Sequence, residues 1–270
     1  MSQVRRRLMR CRLEDIPEQI SELIGTVDRV CFPVQGLTSH VLIVSGSRGE
    51  YVVKRASKPP FNLWLRRENQ VLRSLVTSGL PVPRPYLYLE ESAGDRAHWL
   101  VMERLPGIPL KARLRDEHDC LLRRRLIFGF GRLLAAIHNA APPNALTCPE
   151  PWLDMMLDQA TQNLQRYDVD GTPALLSLLK SQRPKPVSNT LIHGDYTLDN
   201  VLVMGETLTG VIDWCSGAVG DPRYDLALAT RPEREAFQDP ADLDAFYEGY
   251  GGPRLAREES TYFEGLYEFF

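Results

Sequence analysis

Between Leu191 and Trp214 the chain reads LIHGDYTLDNVLVMGETLTGVIDW. This stretch restricts the possible folds more than any other. Runs of Val, Leu and Ile that belong in a core are interleaved with His193, Asp195, Asn200 and Asp213. A charged or amide group beside a core costs free energy unless something pairs with it. A metal, a ligand or an internal hydrogen-bond network is therefore required here. The pattern reads as strand, loop, short strand, turn, short strand. If VLV and TGVI pair as a hairpin, the turn MGET lies at one end. Asn200 and Asp213 then meet at the other end, with Asp195 on the loop before them. Such hard oxygen donors suit Mg²⁺ bound with waters and substrate phosphates. They do not suit Zn²⁺, which prefers Cys and His.

The first half of the chain reads as strands with one helix. DRVCFPVQ and HVLIVS flank the turn GLTS, and GSRG leads into EYVVKR. Leu65, Leu72, Leu75 and Val76 recur near helical spacing, which predicts a helix from about Asn62 to Ser78, ended by Gly79. YLYLE and HWLVM read as a hairpin. ERLPGIP, residues 103–109, has the Pro/Gly texture of a linker. Beyond it the strongest helical segment is LLRRRLIFGFGRLLAAIHNAA, with Leu122, Leu126, Phe130, Leu133 and Ile137 along one side. Further helices are expected over Trp152 to Tyr167, over Ala174 to Lys180, and twice in the acidic tail. A small β-rich lobe (1–102) thus precedes a larger helical lobe (110–270), and clefts between lobes commonly bind ligands.

HGDYTLDN resembles the catalytic loop of the protein-kinase-like fold, whose protein-kinase form is H-R-D-x-x-x-x-N. VIDW stands where D-F-G stands. With GDPRYDLA downstream, the chain resembles the aminoglycoside phosphotransferase and choline kinase branch from about Val27 to about Tyr250. The resemblance implies a bilobal α+β fold and transfer of the ATP γ-phosphoryl group to a small-molecule hydroxyl. Asp195 would be the catalytic acid that accepts or orients the hydroxyl proton. Asn200 and Asp213 would hold Mg²⁺. His193 and Asp225 would brace the catalytic loop. Cys215 departs from the many relatives that carry an acid there, which puts a second metal site in doubt.

On the nucleotide side, Lys54 ends the strand EYVVK, as the Lys of V-A-I-K does, and would fix the α/β-phosphates. Glu68 on the following helix is its expected partner. The phosphate-covering turn would be QGLTSH, with Gly36, Thr38 and Ser39 and with backbone N–H groups directed at phosphate oxygens. The backbone at Glu103 and Leu105 would contact the purine. ATP is the default nucleotide and GTP stays open.

The net charge of −3 over 270 residues argues against a general nucleic-acid binder. The five cysteines are scattered, without CxxC spacing, which suits a reducing cytoplasm. Neither a signal-peptide core nor an apolar run of membrane-spanning length is visible. The acidic tail after Pro232 hints at a cationic acceptor such as an aminoglycoside or amino alcohol, although charged helices are usually solvated faces. The end, EGLYEFF, comes where relatives continue through a longer final helix, so part of the expected substrate wall stays open. Alternatives are a kinase for choline, homoserine or a sugar, a non-catalytic nucleotide-binding scaffold, and a metal-dependent hydrolase. The last lacks the further His ligands that such sites need.

Overall fold

The structure, a computed structural model, describes residues 16–33, 39–92, 96–231, 237 and 239–270. The chain divides into two compact units: Met1–Val76 with Val82–Leu105, and Thr77–Pro81 with Pro106–Phe270.

The first unit is built on an antiparallel sheet in the order β1-β2-β3-β5-β4. Its strands are β1 (Val27–Cys31), β2 (His40–Gly46), β3 (Gly49–Ala56), β4 (Pro85–Glu90) and β5 (His98–Glu103). Side chains alternate between the faces of a strand, and the sequence uses that alternation fully. Leu42 and Val44 of β2, Tyr51 and Val53 of β3, and Trp99 and Val101 of β5 pack with Ile20 and Ile24 of helix α1 (Glu18–Ile24). The other face of β3 carries Lys54, which reaches helix α2 (Phe61–Leu75). Helix α2 buries Leu65, Glu68, Val71, Leu72 and Leu75 at helical spacing. It stops short of the expected Ser78. Val76 is exposed rather than part of the stripe, and Gly79 takes a left-handed φ of +76° after the end.

In the second unit, α3 (Leu110–Arg115), α4 (Cys120–Asn139), α5 (Trp152–Arg166) and α6 (Pro173–Ser181) come first. Short strands follow: β7 (Thr190–Ile192), β8 (Val201–Met204), β9 (Thr207–Val211) and β10 (Ala218–Gly220). Helices α7 (Pro222–Ala229), α8 (Pro240–Tyr250) and α9 (Arg257–Tyr267) complete it. The division between the units, after Leu105, falls inside the expected linker 103–109. Glu103 closes β5, and β6 (Ile108–Pro109) is a further short strand paired with β8. Of the expected stripe on helix α4, Leu126, Phe130 and Ile137 are buried and Leu122 and Leu133 half-buried, while Ile127 and Leu134 are buried beside them, a small rotation of the face. The rotation brings Gly131 onto α8, where a Cβ would lie 2.0 Å from the Phe246 carbonyl oxygen. Gly249 on α8 answers it, since a Cβ there would lie 2.0 Å from the Phe128 carbonyl oxygen. Two small residues thus let the backbones touch, and the buried pair Arg123–Asp242, 3.6 Å apart, spans the same crossing. A second core gathers Trp152, Leu157, Leu176, Ile192, Tyr224, Phe263, Leu266 and Phe269 behind the catalytic-loop segment. Among the described residues no helix is long and apolar enough to cross a membrane.

Candidate active site

The segment 190–214 folds as its pattern predicts, with β7, a loop, β8 and β9. Strands β8 and β9 pair antiparallel with Val201 opposite Val211, and Ile212 N–H donates to the Asn200 carbonyl at 2.9 Å. Gly205 in the turn lies at the far end, so Asn200 and Asp213 share the near mouth.

The loop is held by residues distant in sequence. Asp225 on α7 is fully buried. Its Oδ2 accepts from His193 N–H at 2.7 Å and its Oδ1 from Gly194 N–H at 2.8 Å. The motif GDPRYDLA builds this anchor locally. Asp221 caps α7 and also binds the Arg223 guanidinium, Pro222 takes the first helical turn, and Asp225 then projects back to the loop. His138 of α4 backs Asp225 at 3.3 Å and lies 3.0 Å from Tyr250 Oη through its other nitrogen. Gly194 is required at its position: φ is +79°, and a Cβ would lie 2.4 Å from the Ser216 carbonyl oxygen. His193 is buried, as a bracing residue should be. Its Nδ1 accepts from Asp195 N–H at 3.2 Å, and its Nε2 lies 2.9 Å from the Ile212 carbonyl oxygen, which selects the neutral Nε2–H tautomer. The His193 ring meets Trp214 edge to face at 4.6 Å, and Trp214 Nε1–H donates to the Val211 carbonyl. That is why a Trp follows Asp213: it packs under the loop and ties it to β9.

Asp195 is joined to Asn200 directly. The Asn200 amide donates to both the Asp195 carbonyl and Oδ2, each at 2.8 Å. With the NH₂ so committed, Asn200 Oδ1 is the atom left to face a cation. Asp213 sits in the left-handed region, φ 63° and ψ 56°, which a non-glycine residue rarely adopts. Strain of this kind persists where surrounding structure over-determines it, commonly at functional sites. An amide oxygen and a carboxylate at one hairpin mouth fit Mg²⁺, whose protein ligands are few and oxygenic. Among the described residues no group of three or more His, Cys, Asp or Glu gathers for a metal, and Cys215 is half-buried in the turn after Asp213.

Burial pushes the Asp195 carboxyl up to about 6, and the Asp213 charge adds to the rise. Hydrogen bonds from Tyr267 and Asn200 act in the opposite sense. Tyr267, at the end of α9, donates its hydroxyl to Asp195 Oδ1 at 3.0 Å. No sequence pattern singled this residue out.

In the first unit Lys54 and Glu68 meet as expected. Lys54 Nζ donates to both carboxylate oxygens, at 2.7 and 2.9 Å, and the two residues are only 8% and 3% exposed. This is a buried, bidentate pair, not two solvated charges. Glu103 ends β5 with its N–H donated to the Arg84 carbonyl at 2.8 Å, and Leu105 follows, half-buried. Ser39 is half-buried just before β2, whereas Gly36 and Thr38 lie outside the described residues.

Several acids of the tail after Pro232 are paired with arginines. Glu259 pairs with Arg223, Glu268 with Arg231, Asp239 with Arg124 and Asp244 with Arg254. Among the described residues these tail carboxylates are thus matched by nearby cations, and the Arg223–Glu259 pair ties α7 to α9.

Comparison with known proteins agrees with this geometry. Residues 32–260 match the phosphotransferase enzyme family, APH. An aminoglycoside 3'-phosphotransferase of Streptomyces fradiae is 32% identical over 244 residues, covering 82% of this chain and 86% of the relative. A homoserine kinase of Neisseria meningitidis serogroup B is 28% identical over 242 residues, covering 85% of this chain and 75% of the relative. In fold, the chain is similar to a thermostable mutant of the aminoglycoside phosphotransferase APH(4)-Ia, solved in ternary complex with ADP and hygromycin B. The TM-score is 0.67 at 21% identity, covering 92% of this chain and 88% of that one. The match spans both units, takes in Lys54, Glu68, Asp195, Asn200 and Asp213, and assigns the chain to the phosphotransferase enzyme family.

Proposed function

We propose that this protein is a small-molecule kinase that transfers the γ-phosphoryl group of ATP to an alcohol. The observation that carries the reading is the hairpin mouth. It sets Asn200 beside Asp213 and ties Asn200 to Asp195 at 2.8 Å, so a cation site and a proton acceptor are linked by one side chain. Asp195 takes the hydroxyl proton or orients the hydroxyl as the acceptor oxygen bonds to the γ-phosphorus and the bond from that phosphorus to the leaving ADP breaks. Asn200 Oδ1 and the Asp213 carboxylate would hold Mg²⁺, which would supply charge neutralisation on the phosphates. Lys54 binds the α/β-phosphates, and Glu68 keeps its ammonium in place. Ser39 is set toward the phosphates, and the backbone of Glu103 and Leu105 toward the purine. ADP in the solved neighbour supports a nucleotide of this type.

The relatives' names, aminoglycoside 3'-phosphotransferase and homoserine kinase, support an amine-bearing alcohol as acceptor. An aminoglycoside is the first choice and homoserine the second. The deciding experiment is a screen with γ-labelled ATP and Mg²⁺ against aminoglycosides, homoserine, choline and simple sugars, with Asp195→Asn as control. Label should pass to at least one aminoglycoside. Transfer to homoserine alone would replace the acceptor class. Binding of MgATP with no transfer to any acceptor or to water would leave only the scaffold reading.

A further inference from the structure

We propose that Tyr267 is a positioning residue for phosphoryl transfer: its hydroxyl fixes the plane of the Asp195 carboxylate and thereby aims the free lone pairs at the acceptor. The inference rests on the kinase reading above and adds helix α9 to the machinery. A carboxylate turns easily about its last torsion, because terminal sp³–sp² rotations are broad. Asn200 holds Oδ2 at 2.8 Å and Tyr267 holds Oδ1 at 3.0 Å. Two donors on opposite oxygens remove that rotation, whereas either one alone leaves the group free to swing. A carboxylate offers about four lone-pair positions, so two stay available to an incoming hydroxyl.

Tyr267 is itself held firmly enough to act as a reference point. Its ring lies against Tyr224, centroids 6.5 Å apart, and under the Arg231 guanidinium at 5.8 Å. Arg231 is paired with Glu268 at 2.6 Å. The backbone just beyond is pinned too: Gly171 N–H donates to the Glu268 carbonyl at 2.7 Å, and the Asn163 amide donates to the Phe269 carbonyl at 2.8 Å. Phe269 is fully buried in the core that gathers α5, α6, α7 and α9. The hydroxyl is thus placed by the packing of α5, α6, α7 and α9, not by a mobile side chain. Burial and the neighbouring Asp195 charge push the phenol above its usual range, which keeps it a donor.

Tyr267→Phe tests this cleanly, because it keeps the ring and its contacts and deletes only the O–H. For the acceptor found in the screen, kcat should fall about 10- to 100-fold, the loss expected for one hydrogen bond to a charged group. KM for MgATP should stay unchanged and Tm should fall only by what one lost hydrogen bond costs; a lowered kcat at unchanged KM separates positioning from a structural role. Replacement of Tyr267 by 3-fluorotyrosine restores the O–H and should restore kcat. In an Asp195→Asn background, Tyr267→Phe should add little further loss, since it acts through Asp195. An unchanged or raised kcat in Tyr267→Phe, while wild type turns over, overturns this inference alone. A wild-type protein that binds MgATP but transfers phosphate to no acceptor and to no water overturns the kinase reading and this inference with it.

Discussion

Asp195 is a carboxylate kept where a neutral group would be more comfortable, and this has two measurable consequences. Its carboxyl, pushed by burial up to about 6, must be ionised to accept a proton. We therefore expect kcat/KM to rise with pH through about 6 and to level off above it; a profile flat down to pH 5 would remove Asp195 from that role. The stability consequence has the opposite sign. A raised carboxyl favours the folded state fully below its unfolded value near 3.8, and that contribution is lost as pH rises through about 6. Asp195→Asn mimics the neutral form, so at pH 7 it should cut kcat by about 1000-fold or more without lowering Tm. A drop in Tm would mark Asp195 as structural. Asp213→Ala should weaken nucleotide binding much more with Mg²⁺ than without it, by isothermal titration under both conditions. The placement of these residues was legible because Asp195, Asn200 and Asp213 lie within one short stretch, where hairpin pairing alone dictates who meets whom. Tyr267 was not legible, since it arrives from 72 residues further on by helix packing that no local pattern encodes.

Among the elements, β3 and α2 form one device. The strand delivers Lys54 to the face opposite its core side chains, and the helix meets it with Glu68. The helix position of Glu68, one turn before Leu72 on the buried stripe, was visible in the sequence; its burial was not, because a Glu on a helix is usually solvated. Removing one partner of a buried pair leaves the other charge in a poor environment and typically costs about 3–5 kcal/mol. Glu68→Ala should therefore lower both Tm and kcat/KM for ATP. The double variant with Lys54→Ala should regain part of the Tm while staying at the activity of Lys54→Ala. Additive losses in a double-mutant cycle would separate the two residues. At the α4–α8 crossing, Gly131→Ala places a methyl against the Phe246 carbonyl and should destabilise by about 1–3 kcal/mol, read by urea titration. The sequence showed the helical stripe there but not its full width: Ile127 and Leu134 are buried beside the expected Leu126, Phe130 and Ile137, and the glycine contact with α8 that favours that side has no local signal. Helix α7 went unread for another reason: it is short, begins with Pro222, and forms around the Asp221 cap.

At the scale of the molecule, binding couples to folding. A ligand that binds only the native state stabilises it by RT ln(1 + [L]/Kd). MgATP at about 100 times its Kd should contribute about 2.7 kcal/mol and raise Tm, and EDTA should remove most of the shift if Asn200 and Asp213 hold the metal. The Asp225 anchor bears on a different property, the amide exchange of the catalytic loop. Loop amides usually exchange with solvent deuterium in seconds, yet His193 and Gly194 donate theirs to a fully buried carboxylate backed by His138. These two amides can exchange only when α7 leaves the loop, an opening that also breaks the second core. Their protection should therefore match that of the α4 interior rather than of the surrounding loop, and Asp225→Asn should release them by orders of magnitude while the amides of β3 keep their own rates.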